Sequence, residues 1–180
     1  MRQILAAATC ALLMSAPALA ESFTPSPPGS MVLDLDTQGG NFSAWRIEDA
    51  QAINTIHATL QVDRLGLDPH WAPGFTISFI NGTDRVMFRI QSADRKPPLT
   101  MRLVMMKNDK TADEQDYLAT VGMDEKLELT MTWTADGAVS ARAGDEKRTI
   151  ALGAPVRAVE IAGSTGEVEL NPLTIGTTAP

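Results

Sequence analysis

The sequence has few of the side chains that enzymes use for covalent or metal chemistry. Its 180 residues include one cysteine, two histidines and one tyrosine. A single cysteine, Cys10, cannot form an internal disulfide or build a cysteine-rich metal site. Neither histidine lies in a His-Glu-x-x-His pattern, and the chain contains no Gly-x-Ser-x-Gly motif. The sequence therefore lacks the parts of a helical zinc site and of a serine-hydrolase elbow.

Basic residues are also scarce. The chain has 15 Lys and Arg against 22 Asp and Glu, which gives a formal net charge of −7. Nucleic acids and anionic membrane surfaces attract proteins with a basic surface. Beyond the N-terminal segment there is no run of about 18 apolar residues that would span a bilayer. We therefore expect neither nucleic-acid binding nor membrane insertion.

The N-terminal segment has the three parts of an export signal. Arg2 supplies a positive charge, residues 4–14 are mostly apolar, and residues 18–20 (Ala-Leu-Ala) form a small-x-small cleavage site. Cys10 lies within the apolar part, so we expect the mature chain to carry no thiol. We predict a signal peptide over residues 1–20 and a bacterial protein that is exported to the periplasm or secreted.

The rest of the chain is expected to form one domain. Residues 21–30 contain three prolines and a glycine, which predicts an extended lead-in. Residues 31–176 carry short alternating segments with turn residues between them, and residues 177–180 form a C-terminal tail. No repeat of fixed period and no linker divides this part, which is long enough to bury a core without disulfides.

The clearest local pattern lies at Gly74–Gln91, where apolar and polar residues alternate on both sides of Asn81-Gly82. This pattern is the strongest short-range signal for a β-hairpin. Its inward face is predicted to contain Phe75, Ile77, Phe79, Val86, Phe88 and Ile90.

Similar alternation recurs along the chain, and no long helical pattern accompanies it. We predict a helical turn within residues 48–54, loops at 37–41 and 108–116, and a hairpin turn at 163–166. An all-β sandwich or barrel follows from many short strands of this kind. The further strands are predicted at 31–36, 42–47, 55–63, 100–107, 117–122, 126–134, 139–143, 147–152, 156–162, 167–170 and 173–175.

Two stretches resemble the concanavalin A-like lectin/glucanase superfamily, whose jelly-roll sandwich is shared with laminin G-like modules. One is residues 57–90, which contains His57-Ala-Thr-Leu-Gln-Val and the hairpin. The other is residues 127–141, where a strand ends in Trp133 before an Asp-Gly turn and a returning strand. The likeness extends over residues 31–176. It implies an antiparallel jelly-roll β-sandwich that holds glycans or protein partners on an outward sheet face or its rim loops.

The first candidate ligand residues are Arg89, Gln91 and Arg102, which are expected on outward faces of neighbouring strands. Guanidinium forks and amides suit sugar hydroxyls and carboxylates. A mixed polar face is also what solubility alone requires of an antiparallel sheet. Both interpretations stay open at this point.

His57, His70 and Trp71 complete the predicted ligand-binding set. His57 belongs to the polar face of its strand, and the ordinary interpretation of both histidines is surface exposure. Trp71 lies in a proline-flanked loop, where an exposed indole can stack on a sugar ring. The alternative is a loop residue that folds over the end of the sandwich.

An acidic segment offers a candidate calcium site at Asp109, Asp113, Glu114 and Asp116. Carboxylates on a flexible loop are the oxygen ligands that calcium prefers, but the EF-hand spacing is absent. A solvated loop is the favoured interpretation, and no other cofactor is expected.

Three functional hypotheses remain. The first is an exported, non-catalytic sandwich that binds a glycan or a cell-envelope component. The second is a glycan-active hydrolase or lyase that uses carboxylates or His57 on the same face. Asp34 and Asp36 lie two residues apart on one strand face, at a spacing compatible with glycoside hydrolysis, but a solvated face is the favoured interpretation. The glucanase motif Glu-x-Asp-x-x-Glu is absent, since Glu167-Val-Glu169 has a different spacing. The third is a structural or protein-interaction module of the envelope.

Overall fold

The computed structural model describes residues 21–23, 30–66, 68, 70, 72–92, 94–114 and 117–177, without the side chains of residues 21–23 and 114. The predicted signal peptide, most of the lead-in and the last three residues lie outside this part of the chain. Within these ranges, no helix is both long and apolar enough to cross a membrane.

The described chain is built from β-strands and one short 3-10 helix. All strand pairs are antiparallel except that of β1 with β2. The 3-10 helix at Ala50–Ala52 confirms the helical turn expected within residues 48–54. The strands are β1 Glu21–Phe23, β2 Ser30–Ile47, β3 Thr55–Leu65, β4 Gly74–Asn81, β5 Asp84–Gln91, β6 Leu99–Lys107, β7 Lys110–Glu114, β8 Ala119–Val121, β9 Lys126–Trp133, β10 Ala138–Ala143, β11 Glu146–Ala151 and β12 Ala158–Gly176.

The strands form one continuous sheet that folds over on itself. Its order is β11-β10-β9-β3-β12-β4-β5-β6-β7, with β8 beside β6 and β2 beside β12. The first half of β12 pairs with β4, and its second half pairs with β3. The long strands β12 and β2 therefore pass from one layer of the sandwich into the other. We call the layer with β3, β9, β10 and β11 the first layer, and the layer with β4, β5 and β6 the second layer.

The hairpin of β4 and β5 is confirmed. Asn81 pairs with Asp84, so Gly82 and Thr83 form a two-residue turn. Gly82 has φ +61°, which fits a type II′ turn with glycine at its first central position. All six predicted inward residues are at most 1% exposed. Burial of one such side chain contributes about 1.5–3 kcal/mol, so this hairpin anchors the core.

Both layers direct their apolar side chains into a single core. Ile56, Ala58, Leu60 and Val62 of β3 belong to the same buried cluster as the hairpin residues. The ring of Trp133 at the end of β9 packs against Phe79, with ring centroids 5.2 Å apart. Because the inner faces share this core, the two outer faces point to opposite sides of the molecule.

The predicted turn at residues 163–166 is wrong, because β12 runs through it without reversing. Its two glycines permit close packing and do not form a turn. A Cβ on Gly163 would lie 3.3 Å from Cβ of Leu35, and one on Gly166 would lie 2.7 Å from the carbonyl oxygen of Arg64. The glycines that predicted a turn are thus needed because neighbouring strands approach each other closely here.

The predicted loop at residues 37–41 lies inside β2, although the pairing with β12 is interrupted there. The register shifts between Ser164 and Gly166 of β12, opposite this segment. Gly40 has φ +76°, and its N–H donates to the hydroxyl of Thr165 at 3.3 Å. The turn-forming residues therefore make a bulge in a longer strand.

The predicted loop at residues 108–116 is also wrong in part, since β7 occupies Lys110–Glu114 and pairs with β6. Asn108 and Asp109 form the tight turn, with φ +48° and +60°. Asn and Asp tolerate this left-handed backbone better than other side chains do.

Candidate functional site

The outer face of the second layer brings three of the predicted ligand residues together. Phe88 and Ile90 point into the core, so the alternate residues Arg89 and Gln91 point outward. Arg89 lies directly opposite Arg102 across the β5–β6 ladder. Arg102 is exposed, and the other two are half-buried.

Two adjoining cavities surround these side chains, and we call them together the arginine groove. The first has a volume of about 220 Å³ and is lined by Arg89, Gln91, Thr100 and Arg102. The second, of about 200 Å³, shares Arg89 and Gln91 with the first. Its other described lining residues are Phe42, Ala72, Gly74, Phe75, Thr76, Ile90, Ala162, Gly163 and Ser164.

The groove results from differences in side-chain size along two rows of neighbouring residues, each of which crosses five strands. One row contains Phe42, Ser164, Gly74, Gln91 and Thr100 on consecutive strands. A glycine in the middle of this row leaves a depression between larger neighbours. The exposed ring of Phe42 stands at one end, with 44% of the residue accessible.

The second row contains Ala44, Ala162, Thr76, Arg89 and Arg102. Its two alanines leave the β2–β12 part of the face shallow, and its two arginines build the opposite wall.

The described polar side chains of the groove are guanidinium, amide and hydroxyl groups. Among the described residues that line it there is no carboxylate, no histidine and no tyrosine. Arginine and amide nitrogens donate hydrogen bonds, and the hydroxyls of Thr76, Thr100 and Ser164 can donate or accept. This arrangement can bind carboxylate, sulfate or hydroxyl groups.

The next row on the same face is closely packed and charge-balanced. Ser78 is 3% exposed and Val104 is fully buried, although neither faces the core of the sandwich. Glu160 lies in the same row. Arg46 forms an ion pair with Glu160 at 3.6 Å and another with Glu48 at 2.9 Å. The charge of Arg46 in this row is thus paired with carboxylates.

The loop before β4 borders the groove. The hydroxyl of Ser164 donates to the carbonyl oxygen of Ala72 at 3.2 Å, which holds the end of the loop against β12. Trp71 lies outside the described residues. His70 is exposed, and its backbone N–H donates to Oδ1 of Asp68 at 2.8 Å. The side chain of His70 does not line either cavity of the groove.

His57 lies on the outer face of the first layer, so the structure separates it from the arginine groove. Its Nδ1 is 3.0 Å from the hydroxyl of Thr130, and its Nε2 is 3.3 Å from that of Thr55. The neighbouring carboxylate of Glu128 accepts a hydrogen bond from Thr59 at 2.7 Å. The described structure therefore does not place His57 on one face with Arg89, which was one of the arrangements that the second hypothesis allowed.

The acidic residues of the first layer form cross-strand rows. Asp34 lies opposite Glu169, and Asp36 lies opposite Glu167. Arg64 bridges Asp36 and Glu167, the latter at 3.4 Å. Across the residues whose side chains are described, no group of three His, Cys, Asp or Glu can hold a metal ion.

The calcium site stays a prediction. Asp109 lies in the β6–β7 turn and forms an ion pair with Arg85. Asp113 pairs with Met105 in the ladder. Asp116 and the side chain of Glu114 lie outside the described residues.

Sequence reasoning missed the contributions of β2 and β12 to the groove. Phe42, Ala162 and Ser164 reach it through pairings with partners far away in the chain. The one local signal was the phenylalanine itself, an apolar side chain between Asn41 and Ser43. Its exposure becomes informative only when its neighbours across the sheet are known.

The comparisons with known proteins identify the fold. No protein-family model matches the chain, and no curated protein matches its sequence. Among solved structures, an alginate lyase from Alteromonas sp. 272 superposes with a TM-score of 0.54 at 12% identity, covering 82% of this chain and 88% of that chain. The jelly-roll sandwich of the concanavalin A-like superfamily is thereby confirmed as a likeness of fold.

Two further solved structures are similar. The galectin LEC-6 of Caenorhabditis elegans has a TM-score of 0.49 at 13% identity, covering 86% of this chain and 94% of that chain. A β-glucanase of Bacillus licheniformis has a TM-score of 0.49 at 11% identity, covering 83% of this chain and 79% of that chain. At such identities one sandwich supports many activities.

Proposed function

We propose that the protein is an exported, non-catalytic module that binds an acidic glycan of the cell envelope or its surroundings. The arginine groove is the binding site. The observation that carries this proposal is the direct cross-strand juxtaposition of Arg89 and Arg102 beside a cavity lined by donors. Guanidinium groups bind carboxylates and sulfates with paired, charge-assisted hydrogen bonds.

The shape of the groove supports a sugar ligand. The exposed ring of Phe42 lies at one end of the row that contains Gln91. A pyranose ring has an apolar face that can pack on an aromatic ring, while its hydroxyls bond to amides and hydroxyls. Arg89 and Arg102 would take the acidic group, Gln91 and Ser164 the hydroxyls, and Phe42 the apolar face.

The chemistry of the groove favours binding over cleavage. Glycoside hydrolysis uses two carboxyl groups about 5–9.5 Å apart. Elimination from a uronate needs a base close to the proton that it removes. The described lining residues include no carboxylate, histidine or tyrosine for these roles. The alginate lyase with a similar fold acts on an acidic polysaccharide, which is consistent with an acidic ligand and carries no catalytic residue over to this chain.

The test is a titration of the chain with oligogalacturonate and with a neutral oligoglucoside of equal length. We expect saturable binding of the acidic oligomer alone, with affinity that falls as salt is added. The variant Arg89→Gln/Arg102→Gln should lose at least about tenfold in affinity, because each charged hydrogen bond contributes about 1.5–3 kcal/mol.

The matched control is Arg142→Gln. Arg142 is an exposed arginine on the outer face of the first layer, opposite Thr130. Arg142→Gln removes one arginine charge at a distance from the groove, against two charges in the double variant, so we expect an affinity within about twofold of the unmodified chain. Equal losses in both variants would show nonspecific attraction. Appearance of new reducing ends or unsaturated uronates during the titration would show an enzyme and refute the non-catalytic assignment.

A further inference from the structure

The row of the arginine groove that begins at Phe42 continues one strand beyond Thr100, into β8. Thr120 of β8 lies directly opposite Thr100, so it stands on the same outer face of the second layer. The hydroxyl of Tyr117 donates to that of Thr120 at 3.4 Å, which places the phenol beside this end of the row. Tyr117 is 49% exposed. The row therefore has an exposed aromatic side chain at each end.

Exposed apolar side chains are rare elsewhere in the described part of the chain. Among the described side chains, three large apolar ones are exposed: Val32, Phe42 and Tyr117. Val32 lies on the part of β2 that belongs to the first layer, and the other two flank the arginine groove. One exposed apolar residue is ordinary on a protein surface. Two aromatic rings in line with a cationic centre indicate a ligand that has apolar faces on both sides of its charge.

The backbone fixes the position of both rings. Phe42 is held by the ladder between β2 and β12. Next to Tyr117, the N–H of Leu118 donates to the carbonyl oxygen of Met101 at 2.9 Å. The guanidinium of Arg148 donates to the carbonyl oxygen of Tyr117 at 3.4 Å. A site that is ordered in advance loses less entropy when a ligand binds.

The length of the row determines how large the ligand must be. Five strand-to-strand steps of about 4.8 Å separate Phe42 from Thr120 by roughly 24 Å along the sheet. Arg89 and Arg102 belong to β5 and β6, so they lie between the two aromatic rings. One pyranose ring is far too short to contact the arginines and both aromatic side chains. A chain of several sugars is required.

We propose that the arginine groove is the centre of an extended cleft that binds an internal segment of an acidic polysaccharide. This inference rests on the proposed function and adds the length and the direction of the ligand, which lies across the strands of the second layer. An acidic sugar bonds to Arg89 and Arg102. The sugars on either side of it pack their apolar faces on Phe42 and on Tyr117.

The experiment is a calorimetric titration of the chain with galacturonate, hexagalacturonate and hexaglutamate. Hexagalacturonate should bind at least about tenfold more tightly than galacturonate, because each aromatic contact contributes about threefold or more and distant contacts add. Hexaglutamate is an acidic chain with the same number of side-chain carboxylates and no rings. It should bind at least about tenfold more weakly than hexagalacturonate, because it has no apolar ring face to pack on the aromatic side chains.

Single variants test the two rings separately. Phe42→Ala and Tyr117→Ala should each weaken the binding of hexagalacturonate by about three- to tenfold and leave that of galacturonate within about twofold. Tyr117→Phe keeps the ring, so its affinity for hexagalacturonate should stay within about twofold of the unmodified chain. The matched control is Val32→Ala, which truncates an exposed apolar residue outside the cleft and should leave both affinities within about twofold.

The outcomes separate this inference from the proposed function. If neither galacturonate nor hexagalacturonate binds, or if Arg89→Gln/Arg102→Gln leaves their binding unchanged, the proposed function is refuted and the extended cleft with it. The extended cleft alone is overturned if the arginine dependence holds but hexagalacturonate binds no more tightly than galacturonate. It is also overturned if hexaglutamate binds as tightly as hexagalacturonate, or if either aromatic-to-alanine variant behaves like Val32→Ala.

Discussion

Replacement of Gly166 by alanine tests the close approach of β12 and β3. The added Cβ would lie 2.7 Å from the carbonyl oxygen of Arg64, a backbone atom that cannot rotate away. Overpacking of this kind costs about 1–3 kcal/mol. The lower entropy of the unfolded alanine chain offsets about 0.4–1 kcal/mol of that cost. We expect Gly166→Ala to lower the free energy of unfolding by about 1–2 kcal/mol.

Gly176 on the same strand provides the matched control, because a Cβ there would meet nothing within 4 Å. Gly176→Ala is expected to be neutral or to stabilise by up to about 1 kcal/mol. Urea unfolding of both variants should therefore give midpoints about 1 M apart, given slopes of about 1–3 kcal/mol per molar urea. Equal midpoints would refute the continuous β12 strand and restore a turn at residues 163–166.

Two further predictions concern the core and the pH dependence of stability. Phe88→Ala should lower the free energy of unfolding in urea by about 3–5 kcal/mol, because the ring is fully buried. Phe42→Ala removes an exposed ring and should lower it by well under about 1 kcal/mol. Equal losses of stability in the two variants would contradict the hairpin register. The hydroxyl of Thr134 donates to Asp136 and lowers the pKa of that carboxyl from its usual value of 3.8, with a further contribution from the backbone N–H of Asp136. A lowered folded-state pKa stabilises the fold above the unfolded-state pKa, and this contribution is lost as pH falls through the folded-state pKa. Between neutral pH and pH values below about 4, the free energy of unfolding in urea should therefore fall less in Asp136→Asn than in the unmodified chain. The same pH profile in both proteins would contradict this role of Asp136.

The parts of the fold that were predicted correctly depend on local alternation. The Gly74–Gln91 hairpin needs only its own residues, because a period of two fixes which side chains enter the core. The strands at Thr55–Leu65 and Lys126–Trp133 were recognised for the same reason. Leu60 in the first of these strands and Met131 in the second are fully buried.

The parts that were predicted wrongly depend on partners far away in the chain. Gly163 and Gly166 have the composition of a turn, and only the positions of Leu35 and Arg64 show that they permit close packing. The 108–116 segment was interpreted from its charge, which is equally compatible with a loop and with an exposed edge strand. The cross-strand neighbours that distinguish a loop or a turn from a strand lie many residues away in the sequence, so they leave no local pattern.

The candidate site was also predictable from the sequence only where it depends on local alternation. Arg89 and Gln91 share a face by simple alternation, and Arg102 joins them because β5 and β6 are consecutive in the sheet. His57 has the same outward pattern, yet its strand lies in the other layer beside β9. The alternation of one strand fixes the face of a residue within its sheet, whereas the sheet order decides which residues meet.

The central claim is that Arg89 and Arg102 together bind an acidic glycan without cleaving it. A single calorimetric comparison tests it most directly: oligogalacturonate is titrated into the unmodified chain, into Arg89→Gln/Arg102→Gln and into Arg142→Gln. The account predicts that affinity falls by at least about tenfold in the double variant and changes by less than about twofold in the control. Equal affinities in all three proteins, or no binding of the acidic oligomer to the unmodified chain, would contradict it.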